Sequence, residues 1–479
     1  MLRTVLLVGA VTAAATAVGV PLAWLVARTD LPGRRVWSVL FALPLVIPSY
    51  VTALALISAL GPRGLLQEAL GAPLGIERVP EIYGFPGAFV ALTLATYPYV
   101  YLLVLAALRR ADPAVEEASR SLGHGPWHTF ARATLPSLRP SIGAGALLVA
   151  LYALSDFGVV SLMRYDALTR AIFTSYRSLF DRDPAAVVGL VLVALTVALL
   201  VLEGRTRGSG ARGRGFRQQP GAPRRARPVT LGRARPVALL ASALVVGAAL
   251  VVPIAVLAYW AQRALALDEL SASDIASAAL NSLLGSGIAG GAAVLVALPV
   301  GALAVRYRRR WTVALQSACY TASSLPGIVI ALALVFFAAR YTPFVYQTFS
   351  LLVAAYVMRF LPQALAGAHG ALLRVDPHLE EAARGLGRSP RAVFATVTAP
   401  LVAPGLLAGA TLVFLSTMKE LPVTLLLRPI GFDTLATEVW TATSVASYSE
   451  AAIPALLLIV VSAPVIWLTI ARPASLPPE

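Results

Sequence analysis

The sequence predicts an all-α integral membrane protein of about eleven transmembrane helices in two parallel repeats. Three observations predict it. Of 479 residues, 58% are hydrophobic and 13% charged, and the mean hydropathy is +0.78. Soluble domains carry about 25% charged residues, because a surface of that extent needs them in water. The cations gather between apolar runs rather than within them. A segment beginning at Asp112 recurs at Asp376.

Crossing about 30 Å of hydrocarbon takes roughly 20 apolar residues. Such stretches fall at 4–27, 36–60, 86–108, 137–160, 184–202, 236–260, 280–305, 312–338, 350–372, 401–427 and 451–471. Pro44, Pro48, Pro98, Pro326 and Pro362 interrupt them and predict kinks. Breaks at membrane depth are tolerated where neighbouring helices or a cavity satisfy the backbone. The first stretch, with Arg3 and the run Ala13-Ala14-Ala15, has features of a signal peptide. It reads as a span instead, because Gly19–Arg28 recurs loosely as Ala297–Arg306, with Pro21/Pro299 and Arg28/Arg306 keeping their spacing. An internal copy is not a cleaved leader.

The net charge is +16, and 39 Lys+Arg with the single lysine Lys419 leave 39 − 1 = 38 arginines. Arginines confined to short loops mark the cytoplasmic face of a membrane protein rather than a nucleic-acid site. Arg28, Arg34 and Arg35 follow the first span, and Arg306, Arg308, Arg309 and Arg310 follow the seventh. Segment 203–235 holds ten arginines against one acid, Glu203. With eleven spans these loops share the cytoplasmic side, the C-terminus lies inside and the N-terminus outside. Rich in Gly and Pro, 203–235 reads as a linker, its arginines lying on anionic lipid heads. It divides the chain into a first half, 1–202, and a second half, 236–479. The single cysteine, Cys319, excludes an internal disulfide and argues against a Cys-based metal or redox site.

The duplication is the strongest feature. Asp112–Gly123 matches Asp376–Gly387 at an offset of 376 − 112 = 264, which continues through Pro126/Pro390, Phe130/Phe394, Pro136/Pro400, Pro140/Pro404 and Gly145/Gly409. Upstream it includes Pro98/Pro362, whereas Pro48/Pro326 has an offset of 278. The first copy therefore has the longer outer loop, near 61–85, by 278 − 264 = 14 residues. Five spans in the first copy and a sixth before the second make the repeats parallel, with a solute path between the halves. Each copy carries a polar loop, 109–136 and 373–400. Asp-Pro followed by Glu and Ala predicts a short helix ended by Gly123 or Gly387, then a second running to Pro136 or Pro400. The apolar side of the first, with Ala118, Leu122 and Phe130, wants a partner helix or groove, or else packs on the bilayer or its own spans.

These loops resemble the cytoplasmic motif of ABC importer permeases, Glu-Ala-Ala-x₃-Gly-x₉-Ile-x-Leu-Pro. The first copy reads Glu117-Ala118-Ser119, Gly123, Ala133 and Leu135-Pro136; the second reads Glu381-Ala382-Ala383, Gly387, Val397 and Ala399-Pro400. The departures, Ser119 for Ala, Ala133 and Val397 for Ile, and Ala399 for Leu, bear on docking strength. The resemblance covers nearly the whole chain. It implies the type I ABC importer permease fold in a cell's inner (plasma) membrane, and coupling helices that fit a groove on an ATP-binding subunit. Glu117, Ala118, Gly123, Glu381, Ala382 and Gly387 take that role. It also implies two copies of the ATP-binding subunit and a periplasmic or extracellular solute-binding protein, with no cofactor and no resident metal. A nucleotide phosphate loop needs Lys before Ser or Thr; Lys419 precedes Glu420, so ATP is hydrolysed on another chain.

The fused form is similar to ferric iron permeases in Leu43–Leu56, Lys419–Pro429 and Gly431–Trp440. Fused permeases for thiamine, phosphonates, polyamines or sulfate share the architecture. By that resemblance the chain starts at the family's second span.

Asp156 and Glu420 are repeat equivalents (420 − 156 = 264) near the outer ends of two spans. One reading makes them a carboxylate pair that draws a cation into the path. In the other, Glu420 pairs with Lys419 or Arg428 and Asp156 caps a broken helix end. A secondary transporter driven by ions would want such groups at mid-membrane. A membrane-embedded enzyme would want a His/Asp/Glu cluster; His124, His128 and His378 lie in the loops and His369 just ahead of one, so no catalytic residue is expected.

Overall fold

The computed structural model describes residues 1–61, 64–65, 67, 81–111, 114–177, 182–211, 228–267, 271–307 and 309–471. Their regular structure is helical apart from one isolated bridge, between Thr29 and Val229. α1 (Leu2–Arg28) is a single apolar helix. The expected span 36–60 is broken into α2 (Arg34–Leu40), a 3₁₀ turn (Leu43–Val46) and α3 (Ser49–Leu60), bent by 91°. Ile47, before Pro48, is extended at ψ 121, as a residue preceding proline is forced to be.

α4 (Phe85–Arg110) is followed by the two short helices α5 (Ala114–Ser121) and α6 (Pro126–Thr129), then α7 (Leu135–Ser155) and α8 (Gly158–Leu162). α9 (Leu168–Arg177), α10 (Arg182–Ala211), α11 (Arg235–Val246) and α12 (Val252–Leu267) complete this part. The second copy repeats the order. It runs α13 (Ala272–Arg306), α14 (Arg310–Ser324), α15 (Gly327–Tyr341), α16 (Phe349–Leu372), α17 (Pro377–Gly385), α18 (Pro390–Val393), α19 (Ala399–Met418), α20 (Pro422–Leu427), α21 (Leu435–Ser444) and α22 (Tyr448–Ala471).

The span count differs from the expected eleven. Eight helices among the described residues are long and apolar enough to cross a membrane, or nine if the bent pair is one span. The expected spans 312–338 and 451–471 fall on the shorter apolar helices Gly327–Tyr341 and Tyr448–Pro464. Pro326 caps the first of these, so the residues before it form the separate α14. The expected spans 137–160 and 401–427 also break, after Ser155 and after Met418. Proline, with no N–H and a fixed φ, favours a new start at Pro422, the first residue of α20.

The chain forms two compact units, Met1–Asp268 with Ala446–Glu479, and Glu269–Val445. In the first, α1, α4 and α7 pack on one another; in the second, their repeat equivalents α13, α16 and α19 do the same. α12 and α22 pack together in the first unit and on α3. Without hydrophobic drive in lipid, spans associate through close packing of small residues. The repeated Gly145 and Gly409 serve this: a Cβ would lie 2.8 Å from Val100 Cα and 3.0 Å from Ala364 Cα, again equivalent residues.

The duplication extends past its legible stretch. Thr4 Oγ1 accepts a hydrogen bond from Leu168 N at 3.1 Å, and Ser282 Oγ accepts one from Leu435 N at 2.8 Å. Arg164 (φ 54) and Gly431 (φ 78) share the left-handed conformation one turn earlier. Arg164 is held there with its guanidinium 4.7 Å from the Tyr83 ring centre. Of the expected linker, 212–227 lies outside the described residues. Its far end is clipped to the loop after α1: Val229 N–H donates to Arg28 O at 2.8 Å and Asp30 N–H to Val229 O at 3.1 Å.

Candidate functional site

Both loops are built to the same plan. In the second, Asp376 caps α17 by accepting from His378 N–H at 3.0 Å, and Pro377 occupies the first helical position. The corresponding Asp112 and Pro113 lie outside the described residues. Both helices end in a Schellman turn. Gly123 N–H donates to Arg120 O at 3.0 Å and His124 N–H to Ser119 O at 3.3 Å; Gly387 N–H donates to Arg384 O at 2.9 Å and Arg388 N–H to Ala383 O at 3.2 Å. The turn needs a left-handed residue, which glycine adopts without cost to a Cβ; φ is 83 at Gly123 and 80 at Gly387.

The expected second short helix is not separate. α6 and α18 pass through π turns, Phe130–Thr134 and Phe394–Thr398, directly into α7 and α19. Pro136 and Pro400 sit inside these starts rather than ending anything. Each lacks the N–H that would bond four residues back, and the backbone widens by one residue just before it.

Ser119, the departure from the motif, has a structural counterpart. Its hydroxyl lies 3.1 Å from Thr129 Oγ1, tying α5 to α6. In the second loop the equivalent positions are the buried apolar residues Ala383 and Val393. One loop places a hydroxyl pair between its helices where the other has two buried apolar side chains.

Glu117, Ala118, Gly123, Glu381, Ala382 and Gly387 are all exposed. Large apolar side chains accompany them at equivalent positions: Leu122 is 76% and Leu386 84% exposed, beside Val115, Trp127 and Leu379. Phe130, expected on that apolar side, turns inward, its ring 5.5 Å from Trp24 of α1. The neighbouring acids Glu116 and Glu380, which the motif does not include, are buried and paired with Arg28 and Arg306. Their only sequence signal was that both the arginine and the acid recur.

Asp156 and Glu420 are buried, each in its own unit. Asp156 accepts from Ser49 Oγ at 2.6 Å and from Val159 N–H at 2.8 Å, capping α8. Glu420 accepts from Val423 N–H at 3.3 Å and pairs with Arg359 at 3.0 Å. Arg359, which the sequence reading did not name, is a cation at Glu420, and Arg428 pairs with Asp433. The two sites are a compensated exchange. Ser49 and Ala95 in the first copy correspond to Gly327 and Arg359 in the second (offsets 278 and 264). A Cβ at Gly327 would overlap the Arg359 guanidinium. The second unit also holds a small pocket lined by Asn281, Ser282, Ser286, Tyr356, Thr417 and Thr434.

The chain matches the family of binding-protein-dependent transport system inner membrane components twice, over residues 19–205 and 289–471. It is 34% identical over 464 residues to the Fe(3+)-transport system permease protein FbpB 2 of Haemophilus influenzae, covering 96% of this chain and 87% of that protein. It is 26% identical over 455 residues to a probable ABC transporter permease protein of Sinorhizobium fredii, covering 90% and 79%. The molybdenum transport system permease protein ModB of Escherichia coli is 30% identical over 192 residues, 39% of this chain but 82% of that protein. Such a relative has the length of one half.

Proposed function

Because the chain belongs to the family of binding-protein-dependent transport system inner membrane components, we propose that it carries ferric iron and couples that passage to ATP hydrolysis on a separate subunit. It is a multi-pass ABC permease of the inner membrane with two family repeats in one chain. One observation carries the iron reading: the Haemophilus relative, an Fe(3+) permease, aligns over both halves. The molybdenum permease aligns over 39% of the chain. Two loops with the same exposed face support two copies of the ATP-binding subunit, one at Glu117, Ala118 and Gly123, the other at Glu381, Ala382 and Gly387. A solute-binding protein on the opposite side delivers the cargo.

Of the two carboxylates, Asp156 is the better candidate for the path. Its hydrogen bonds come from the neutral donors Ser49 and Val159 N–H, whereas Glu420 faces the Arg359 cation.

The test is ATP-dependent uptake into proteoliposomes containing this chain, its ATP-binding subunit and iron-loaded binding protein. Radioactive ferric iron should accumulate, and molybdate or sulfate should not. Uptake of either anion in place of iron would refute the solute assignment.

The turn glycines give a separate expectation. No atom lies within 4 Å of a Cβ built at Gly123 or Gly387, so a side chain meets no steric barrier within the protein. It meets the left-handed φ, at about 1–2 kcal/mol for each residue. Gly123→Val with Gly387→Val should therefore leave the protein in the membrane at a cost of roughly 2–4 kcal/mol in sum, borne locally at the two turns, while co-purification of the ATP-binding subunit and transport both fall. Normal transport by the double variant would remove these turns from the docking surface.

A further inference from the structure

We infer that Arg28 and Arg306 are positioning residues, through which each coupling loop is geared to the membrane core of its own half. The inference rests on the coupling reading above and assigns a role to residues outside the motif. Arg28 closes α1, and its Nε lies 3.1 Å from Glu116 Oε1, with the two side chains only 6% and 8% exposed. Arg306 closes α13 and pairs in the same way with Glu380 of α17. Thr398 Oγ1, in the π turn, donates to Glu380 Oε1 at 2.6 Å, joining that carboxylate to the start of α19.

The electrostatics favour each partner twice over. A cation is stabilised in the last turn of a helix and an anion in the first turn of one. Arg28 and Arg306 occupy last turns, and Glu116 and Glu380 first turns. The negative end of a long span is thus joined through an ion pair to the positive end of a short cytoplasmic helix.

The two pairs are kept across a change of register. The arginines are 306 − 28 = 278 residues apart and the acids 380 − 116 = 264. Restoring the contact after fourteen residues of difference in the intervening chain implies that it is the contact, not the local sequence, that matters. A short helix whose outer face is given to a partner needs a rigid link inward if the partner's motion is to move a span. α1 and α13 each pack along the two other core helices of their unit, so a displacement at Glu116 or Glu380 is passed to that core.

The latches differ in strength. The first is dry and reinforced by the Trp24–Phe130 contact. In the second, Arg306 is 42% exposed and Phe394 46%. Loss of the first should therefore cost more.

The test uses the assembled complex in proteoliposomes, measuring uptake and ATP hydrolysis in the same sample. With Arg28→Gln, uptake should fall about tenfold, within the usual range of coupling between sites. The ATP-binding subunit should stay bound and hydrolyse ATP, so ATP consumed per solute rises. Arg306→Gln should shift the same ratio less, and Arg28→Lys should keep most of it. A parental ratio in Arg28→Gln overturns the proposal. If Arg28→Gln does not fold, the decision passes to Arg306→Gln, in which Glu380 keeps Arg384 at 3.7 Å and the Thr398 hydroxyl at 2.6 Å as partners; a parental ratio there overturns it equally. Failure of the unaltered chain to bind an ATP-binding subunit overturns the coupling reading instead, before any variant is compared.

Discussion

Leu122→Asp combined with Leu386→Asp is expected to release the ATP-binding subunit from the membrane complex. Both leucines stand just before the turn glycines, at 76% and 84% exposure. Such exposure on a loop in water is a cost unless a partner covers it. Burying one leucine contributes about 1.5–3 kcal/mol, and a carboxylate in its place adds an unpaired charge to an apolar groove. Each subunit thus loses at least about 1.5 kcal/mol at its own loop before the charge is counted, and each 1.4 kcal/mol is tenfold in affinity. Binding of the ATP-binding subunit, followed by co-purification at graded concentrations, should weaken about tenfold or more at each loop. Leu122→Met with Leu386→Met, which keeps size and polarity, should bind like the parent. Retention of the subunit by the aspartate pair would mean that these loops dock elsewhere or on something else.

The second large effect is on stability. Glu420→Gln removes the carboxylate that faces Arg359 and leaves a guanidinium inside the span without its counter-charge. Breaking a buried pair by one partner costs about 3–5 kcal/mol, whereas removing both partners is often nearly neutral. Glu420→Gln should therefore lower the thermal unfolding midpoint in detergent sharply. Adding Arg359→Ala should restore most of the loss, since the first copy already has Ala95 at that position. Asp156→Asn is expected to behave differently. Its amide oxygen still accepts from Val159 N–H and its donor still faces Ser49, so about 1 kcal/mol is at stake. Any slowing of iron uptake in that variant, with fold and subunit docking intact, is then an effect of charge on the path. A Glu420→Gln protein as stable as the parent would show that Arg359 has another counter-ion; unchanged uptake in Asp156→Asn would leave that residue as a helix cap alone.

What the sequence could determine was what repeats along the chain or depends on neighbours in it. Apolar length, loop arginines and the 264-residue offset gave a duplicated membrane protein, because each is written in contiguous residues. The turns at Gly123 and Gly387 were legible for the same reason: a Schellman turn is closed by backbone bonds within six residues. The number of clean spans was not legible. An apolar run of about 25 residues reads as one helix whether or not Pro48 or Pro326 bends it, and hydropathy does not report direction. The ion pairs were beyond reach as well. Glu420 has Lys419 beside it and Arg428 two turns on, yet a cation paired with it comes from α16, 61 residues earlier (420 − 359). Arg28 and Glu116 are 88 residues apart. Charge pairing in lipid is decided by which helix ends and faces meet once spans pack. That is set by small-residue contacts such as Gly145 on Val100 and Gly409 on Ala364, which place whole helices and only then their charges.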